Sequence, residues 1–169
     1  ESMVLIFKET AGLGKFAGPG GWNDPDMLEV GNEMTAAEDR TEITLWAAMA
    51  APLIVGNDLV HADAATLALL TNPAVIAIDQ DPLGRQGARI SKDGDLEVWS
   101  KPLADGGLAV GLFNRGAAAA KVTAKWSDLR LEGSHPVRDL WKHEDLGSKS
   151  DAFSADVASH GVVLVKIAK

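Results

Sequence analysis

The chain has 169 residues, 46% hydrophobic and 24% charged, with 24 acidic against 16 basic side chains and a net charge of -8, a composition ordinary for a globular protein able to bury a core. No Lys/Arg cluster of the kind that tracks a phosphate backbone is present, which argues against a nucleic-acid partner, and no apolar run approaches the roughly 20 residues that span a bilayer, which argues against a membrane segment. Cysteine is absent, so disulfides, thiolate zinc sites and cysteine nucleophiles are excluded together, although this does not fix the compartment.

The opening "ESMVLIFKETAGLG" places Met3, Ile6 and Phe7 at helical spacing before a glycine-containing stop, which predicts a helix already under way at Glu1 and a chain truncated at its N-terminus. "GPGGWNDPDMLEVGN" follows at 18–32, with Asp24 and Asp26 in a frame of glycines and prolines, Trp22 before them and Met27 directly after. In "TAAEDRTEITLWAAMAAP", Thr35 and Glu38 have capping-box spacing, Ile43, Trp46, Ala47 and Ala50 recur on one helical face, and Pro52 closes the element. The pattern predicts an amphipathic helix. "LIVGND" then reads as a short strand buried on both faces, and "DAATLALLTN" as a short helix capped by Asp63. "VIAI" at 75–78 could pass for a strand, but Asn72 and Pro73 supply an N-cap and a favoured first helical residue, so a helix is expected.

"DQDPLGRQG" breaks the pattern, and from about residue 88 the period changes to two. "DLEVWSKPL" and "LAVGLFNRG" flank the hairpin-like "ADGG", and "AKVTAKW", "PVRDLWKH" and "HGVVLVKIA" read as further strands. Residues 1–80 therefore alternate α, β, α, β, α, and the remainder is an all-β antiparallel domain.

Asp24 and Asp26 admit three readings. As a glycosidase pair they are poorly placed, because two residues at i and i+2 lie on one face of a strand, whereas catalytic carboxyls flank the scissile bond about 5 Å apart or more. As a D-x-D they could hold a divalent ion for a glycosyltransferase, though Pro25 fixes the backbone between the ligands. As structural groups they would brace the chain after a strand by local hydrogen bonds.

The wording of the sequence adds a further constraint. "AGPGGWNDPDMLEVGN", "LWAAMAAPLIVGNDL", "NPAVIAIDQDPLGRQG", "LEVWSKPL", "AVGLFNRG" and "RDLWKHEDLG" resemble, in this order, the C-terminal half of the melibiase-type α-galactosidases, glycoside hydrolase family 27. The resemblance implies the last two βα units of a (β/α)8 TIM barrel over residues 1–83, followed by a C-terminal antiparallel β-sandwich over 84–169. Residues 1–16 would be the sixth barrel helix, "GGWNDPDM" the seventh strand, 35–51 the seventh helix and "PLIVGND" the eighth strand. It also implies a retaining exo-glycosidase acting on an α-galactoside carbohydrate, with no cofactor and no metal, whose nucleophile and acid/base aspartates precede Glu1. A secreted, periplasmic or lysosomal-type location is compatible with it. On that pattern Asp26 and Met27 belong to the wall of the sugar pocket, Trp22 is a further substrate-binding candidate, and Asp24 is structural.

Alternatives from other classes are a sugar-binding β module without activity and family relatives acting on α-N-acetylgalactosaminides, β-L-arabinopyranosides or α-glucans. His61, His135, His143 and His160 lack zinc spacing, and Trp99, Trp126, Trp141, Phe113 and Phe153 are read as core or interface rather than as a sugar platform. Asp79, Gln80 and Asp81 are read as a junction turn. Glu33 and Glu42 depart from the family pattern, which commonly has glycine and histidine there; both are expected to alter a rim loop or helix start. Because two βα units leave unpaired sheet edges, residues 1–80 are expected to stay loose, with proteolysis beginning there or within "DQDPLGRQG".

Overall fold

The structure, a computed structural model, describes residue 6 and residues 9–169. The predicted opening helix lies largely outside the described residues; within them Ile6, Glu9 and Thr10 are helical, and the Thr10 hydroxyl donates to the Ile6 carbonyl at 2.6 Å.

Helix α1 spans Ala36–Met49, and its capping box forms as the spacing requires: Glu38 N–H donates to the Thr35 hydroxyl, and Thr35 N–H to the Glu38 carboxylate. Its C-cap, Ala50, turns left-handed at φ 54, two residues before Pro52. The expected amphipathic stripe is not what the structure shows, because residues 41–51 are buried without a break. The reason is layering: α1 lies between the α/β segment on one side and a β-sheet on the other, so no face remains for water. Two shorter helices follow, α2 at Ala64–Leu70 under its Asp63 cap and α3 at Pro73–Asp79 under its Asn72 cap, and "VIAI" is helical as the N-P signal predicts.

The two expected parallel strands meet in a single bridge, Leu28 with Val55: Leu28 N–H donates to the Ile54 carbonyl at 2.7 Å and Gly56 N–H to the Leu28 carbonyl at 2.8 Å. Pairing thus begins just after "GGWNDPDM" rather than within it.

The rest of the chain forms eight antiparallel strands in two sheets. β1 (Ala88–Asp93), β2 (Leu96–Pro102), β3 (Leu108–Asn114), β5 (Ser134–Asp139), β6 (Glu144–Ser150) and β8 (Val162–Ile167) make the larger sheet in the order β1-β2-β3-β8-β5-β6, while β4 (Ala120–Lys125) pairs with β7 (Ala152–Val157). Period-two alternation sends Val110 and Leu112 of β3 and Val165 of β8 into the sandwich core with Val122, Phe153 and Val157. The opposite face carries Trp99, Phe113 and Leu164 into a core shared with Trp46 and Met49 of α1. Phe113 and Trp99 meet edge to face at 6.4 Å. β1, β6 and β7 were not read as strands; β1 and β6 are the two edges of the larger sheet, and most of their residues are exposed. "PVRDLWKH" stops being a strand at Asp139, whose carboxylate accepts the N–H groups of Trp141 and Lys142, both at 2.9 Å, and turns the chain.

Against the expectation of a loose first half stands a shared core, which joins α1 to β2, β3 and β8. Polar ties reinforce it. Buried Lys101 donates to the Ala47 carbonyl at 3.0 Å and the Asp79 carbonyl at 3.3 Å, at the C-terminal ends of α1 and α3. Gly87 N–H donates to the Ala48 carbonyl at 2.7 Å, the Asp81 carboxylate accepts Ala104 N–H, and the Trp141 indole donates to the Thr44 hydroxyl at 2.9 Å. The linker is therefore strapped to both sides.

Candidate functional site

The segment at Asp24–Met27 is held almost wholly by its own side chains and one from α1. Asp26 N–H donates to the Asp24 carboxylate at 3.0 Å, Met27 N–H donates to Asp26 Oδ1 at 2.8 Å, and the Trp46 indole donates to the Asp26 carbonyl at 3.0 Å. Asp26 sits at φ 83, a left-handed conformation uncommon for a residue with a Cβ. This overturns the expectation that both aspartates share one strand face, because a left-handed residue breaks the period-two alternation. Asp24 is bound to the backbone of Asp26, which agrees with the structural role read for it. Asp26 and Met27 are both exposed, and Asp26 Oδ2 has no protein partner among the described residues.

Immediately beyond, α1 completes the backbone hydrogen bonds of the unpaired edge. Glu42 Oε2 accepts Glu29 N–H at 3.0 Å and Asp39 Oδ1 accepts Gly31 N–H at 2.9 Å. Burial raises the Glu42 carboxyl to about 7, partly opposed by the Glu29 hydrogen bond and aided by the nearby charges of Asp39 and Glu29. Burial also raises Asp39. Glu42 is thus a brace behind the segment rather than a rim or helix-start residue, which corrects its expected role. Glu33, by contrast, stands in a loop at φ 66, where glycine would be unstrained. Gly31 has φ +84, and a Cβ there would come 2.8 Å from the Thr66 hydroxyl of α2.

Trp22 lies elsewhere along the segment. Its ring, 40% exposed, lies against the linker, where a Cβ on Gly84 would come within 3.1 Å of it, and it helps line a recess of about 320 Å³ with Pro19, Asp79, Gln80 and Asp81. Asn23 beside it donates to Gln86 at 2.7 Å and to the Leu13 carbonyl at 2.9 Å, fastening the entry of the segment to the linker. The turn at Asp79–Asp81 holds Asp79 almost fully buried, and burial raises its carboxyl to about 6, with the hydrogen bond from Gln80 and the charge of Lys101 opposing.

The tryptophans and phenylalanines take the core or interface places expected: Trp99, Trp126, Phe113 and Phe153 are buried, and Trp141 reaches α1 with Arg40 lying 5.5 Å over its ring. His61 pairs with Asp58, His160 with Glu38, and His135 lies between the carbonyls of Glu132 and Ala168. Among the described residues no three His, Cys, Asp or Glu side chains gather as a metal site. Sequence reasoning missed the roles of Trp46, Glu42, Asn23 and Gln86. Trp46 carried the one available signal, an indole N–H on an otherwise apolar helix face, a group that usually finds an acceptor when buried.

Residues 3–81 match the family model described as alpha galactosidase A, and residues 93–167 that of the alpha galactosidase C-terminal beta sandwich domain. Alpha-galactosidase 2 of Arabidopsis thaliana is 46% identical over 163 residues, 95% of this chain and 41% of that protein, and the alpha-galactosidase of Cyamopsis tetragonoloba is 47% identical over 162 residues, 94% and 39% respectively. Among solved structures, alpha-galactosidase I from Mortierella vinacea aligns with a TM-score of 0.92 at 41% identity over 96% of this chain and 43% of that one. A family 27 β-L-arabinopyranosidase from Geobacillus stearothermophilus aligns with a TM-score of 0.90 at 30% identity over 97% of this chain and 41% of that one. The chain spans about two fifths of the length of these relatives.

Proposed function

Since the chain belongs to the melibiase-type α-galactosidase family, glycoside hydrolase family 27, we propose that it forms the C-terminal part of a retaining exo-glycosidase that removes terminal α-D-galactosyl residues by double displacement. Residues 1–83 would complete the catalytic barrel and 84–169 form its β-sandwich. The nucleophile and the acid/base carboxyl are supplied by a part of the protein outside these residues, so the 169-residue chain alone does not hydrolyse an aryl α-galactoside.

The observation that carries the reading is the exposed Asp26 carboxylate, with one oxygen engaged by Met27 N–H and the other open, next to an exposed Met27. A carboxylate so placed accepts hydrogen bonds from sugar hydroxyls, and its charge favours an oxocarbenium-like transition state. Met27 forms an apolar wall. Trp22, packed against the linker, acts less directly, by holding the entry of the segment.

The test is made on the full-length protein containing this chain, with an aryl α-galactoside as substrate and the anomeric configuration of the first product followed by NMR. Retention is expected, and Asp26→Asn should lower kcat/KM by about 10²-fold, the scale of one oriented polar interaction with the transition state. Inversion, or full activity in the variant, overturns the reading. A second reading, a β-L-arabinopyranosidase, is favoured by the similarity to the Geobacillus enzyme, and comparison of kcat/KM for the two glycosides separates them.

A further inference from the structure

We propose that Trp46, together with Asp24, is a positioning device that clamps Asp26 in its left-handed backbone conformation and so sets the aim of its carboxylate; this rests on the assignment of Asp26 to the sugar pocket. A non-glycine residue at φ 83 is held against a steric penalty, and such residues persist only where their surroundings over-determine them. Here the over-determination is complete, since the N–H, the C=O and the carboxylate of Asp26 each have a designated partner in Asp24, Trp46 and Met27 N–H.

Of these, only Trp46 connects the segment to the body of the fold. Its ring is 1% exposed, packed in the core with Leu28, Val30 and Met49, so the indole N–H has no second place to go. The helix that carries it is fixed at its start by the Thr35–Glu38 capping box and at its end by the Lys101 ammonium. The bond is thus a strut from a rigid element to an exposed loop. Without it the Asp26 carbonyl can rotate, φ can relax to the extended region, and the Cα–Cβ bond swings the carboxylate away. Asp24 locks the other side of the same residue, and Pro25 limits the freedom of the link between them.

The experiment is a double-mutant cycle on the full-length protein. Trp46→Phe keeps an aromatic ring in the core and removes only the donor. It should lower kcat/KM by about tenfold or more, chiefly through kcat, as expected when a polar group is displaced by about 1 Å. Asp26→Gly removes the carboxylate and tolerates the left-handed backbone, and in that background Trp46→Phe should add nothing further, because the two act through one group. Equal losses in both backgrounds would make Trp46 a purely structural residue and overturn the proposal. Full activity in Asp26→Gly would defeat the pocket assignment itself, whereas a loss there with none in Trp46→Phe defeats only the positioning role. If Trp46→Phe does not fold, the exposed Asp24 supplies the same cycle: Asp24→Ala removes the acceptor for Asp26 N–H, and Asp24→Asn, which keeps one, should retain more kcat than Asp24→Ala. Equal activity in the two Asp24 variants would again overturn it.

Discussion

Replacing Glu42 by glutamine should change how stability depends on pH, in a direction fixed by its burial. Glu42 is 5% exposed, its Oε2 accepts Glu29 N–H, and its carboxyl is raised from 4.5 to about 7. A raised acid binds its proton more tightly in the folded than in the unfolded chain, so its contribution to stability falls as pH climbs through the window from 4.5 to about 7 and is level above it. At 1.36 kcal/mol per pH unit, ionising Glu42 in place costs about 3 kcal/mol above that window, and most of this arises between about pH 5 and pH 8. Glutamine keeps an acceptor for Glu29 N–H and cannot ionise. Urea unfolding of both proteins at about pH 5 and pH 8 should therefore show the variant gaining about 2–3 kcal/mol on the parent over that interval. Parallel curves, within about 0.5 kcal/mol at both pH values, would mean that Glu42 titrates as an ordinary surface acid and does not brace the segment from a dry position.

Lys101 should behave in the opposite sense: burial lowers its pKa to about 8, so the folded protein sheds the proton first and stability rises with pH from about 8 to 10.5. Lys101→Met, which leaves the Ala47 and Asp79 carbonyls without their donor, should cost about 1–3 kcal/mol near neutral pH in urea unfolding, with the deficit widening above pH 8. Gly111→Ala would bring a Cβ to 2.5 Å from the ring of fully buried Phe113, and thermal melting should register a loss of about 1–3 kcal/mol. Limited digestion of the 169-residue chain with a broad-specificity protease should cut first within 56–63, where Leu59 and Val60 are 53% and 86% exposed, before the strapped linker at 80–87; a first cut in the linker would show that the shared core does not couple the two halves.

Local chemistry made much of this fold legible. Capping residues Thr35, Asp63 and Asn72 announced α1, α2 and α3 because each satisfies N–H groups one turn away, a relation contained within four residues of chain. Short, largely apolar runs bounded by turn residues likewise announced β2, β3 and β8, which are buried almost throughout because both of their faces meet a covered surface. β6 escaped because an edge strand with both faces largely wet has no alternation to display. At the candidate site, Asp26 and Met27 were candidates only through the family resemblance, and their geometry was not legible. The Asp26 carbonyl is held by an indole 20 residues further along the chain, and the raised carboxyl of Glu42 goes with burial beside Glu29, 13 residues back. Neither separation corresponds to a helical or strand period; these contacts arise when α1 is laid between the segment and the sheet. Periodicity reports which face of an element avoids water, and it is silent on which distant donor meets a given acceptor once two such faces close on each other.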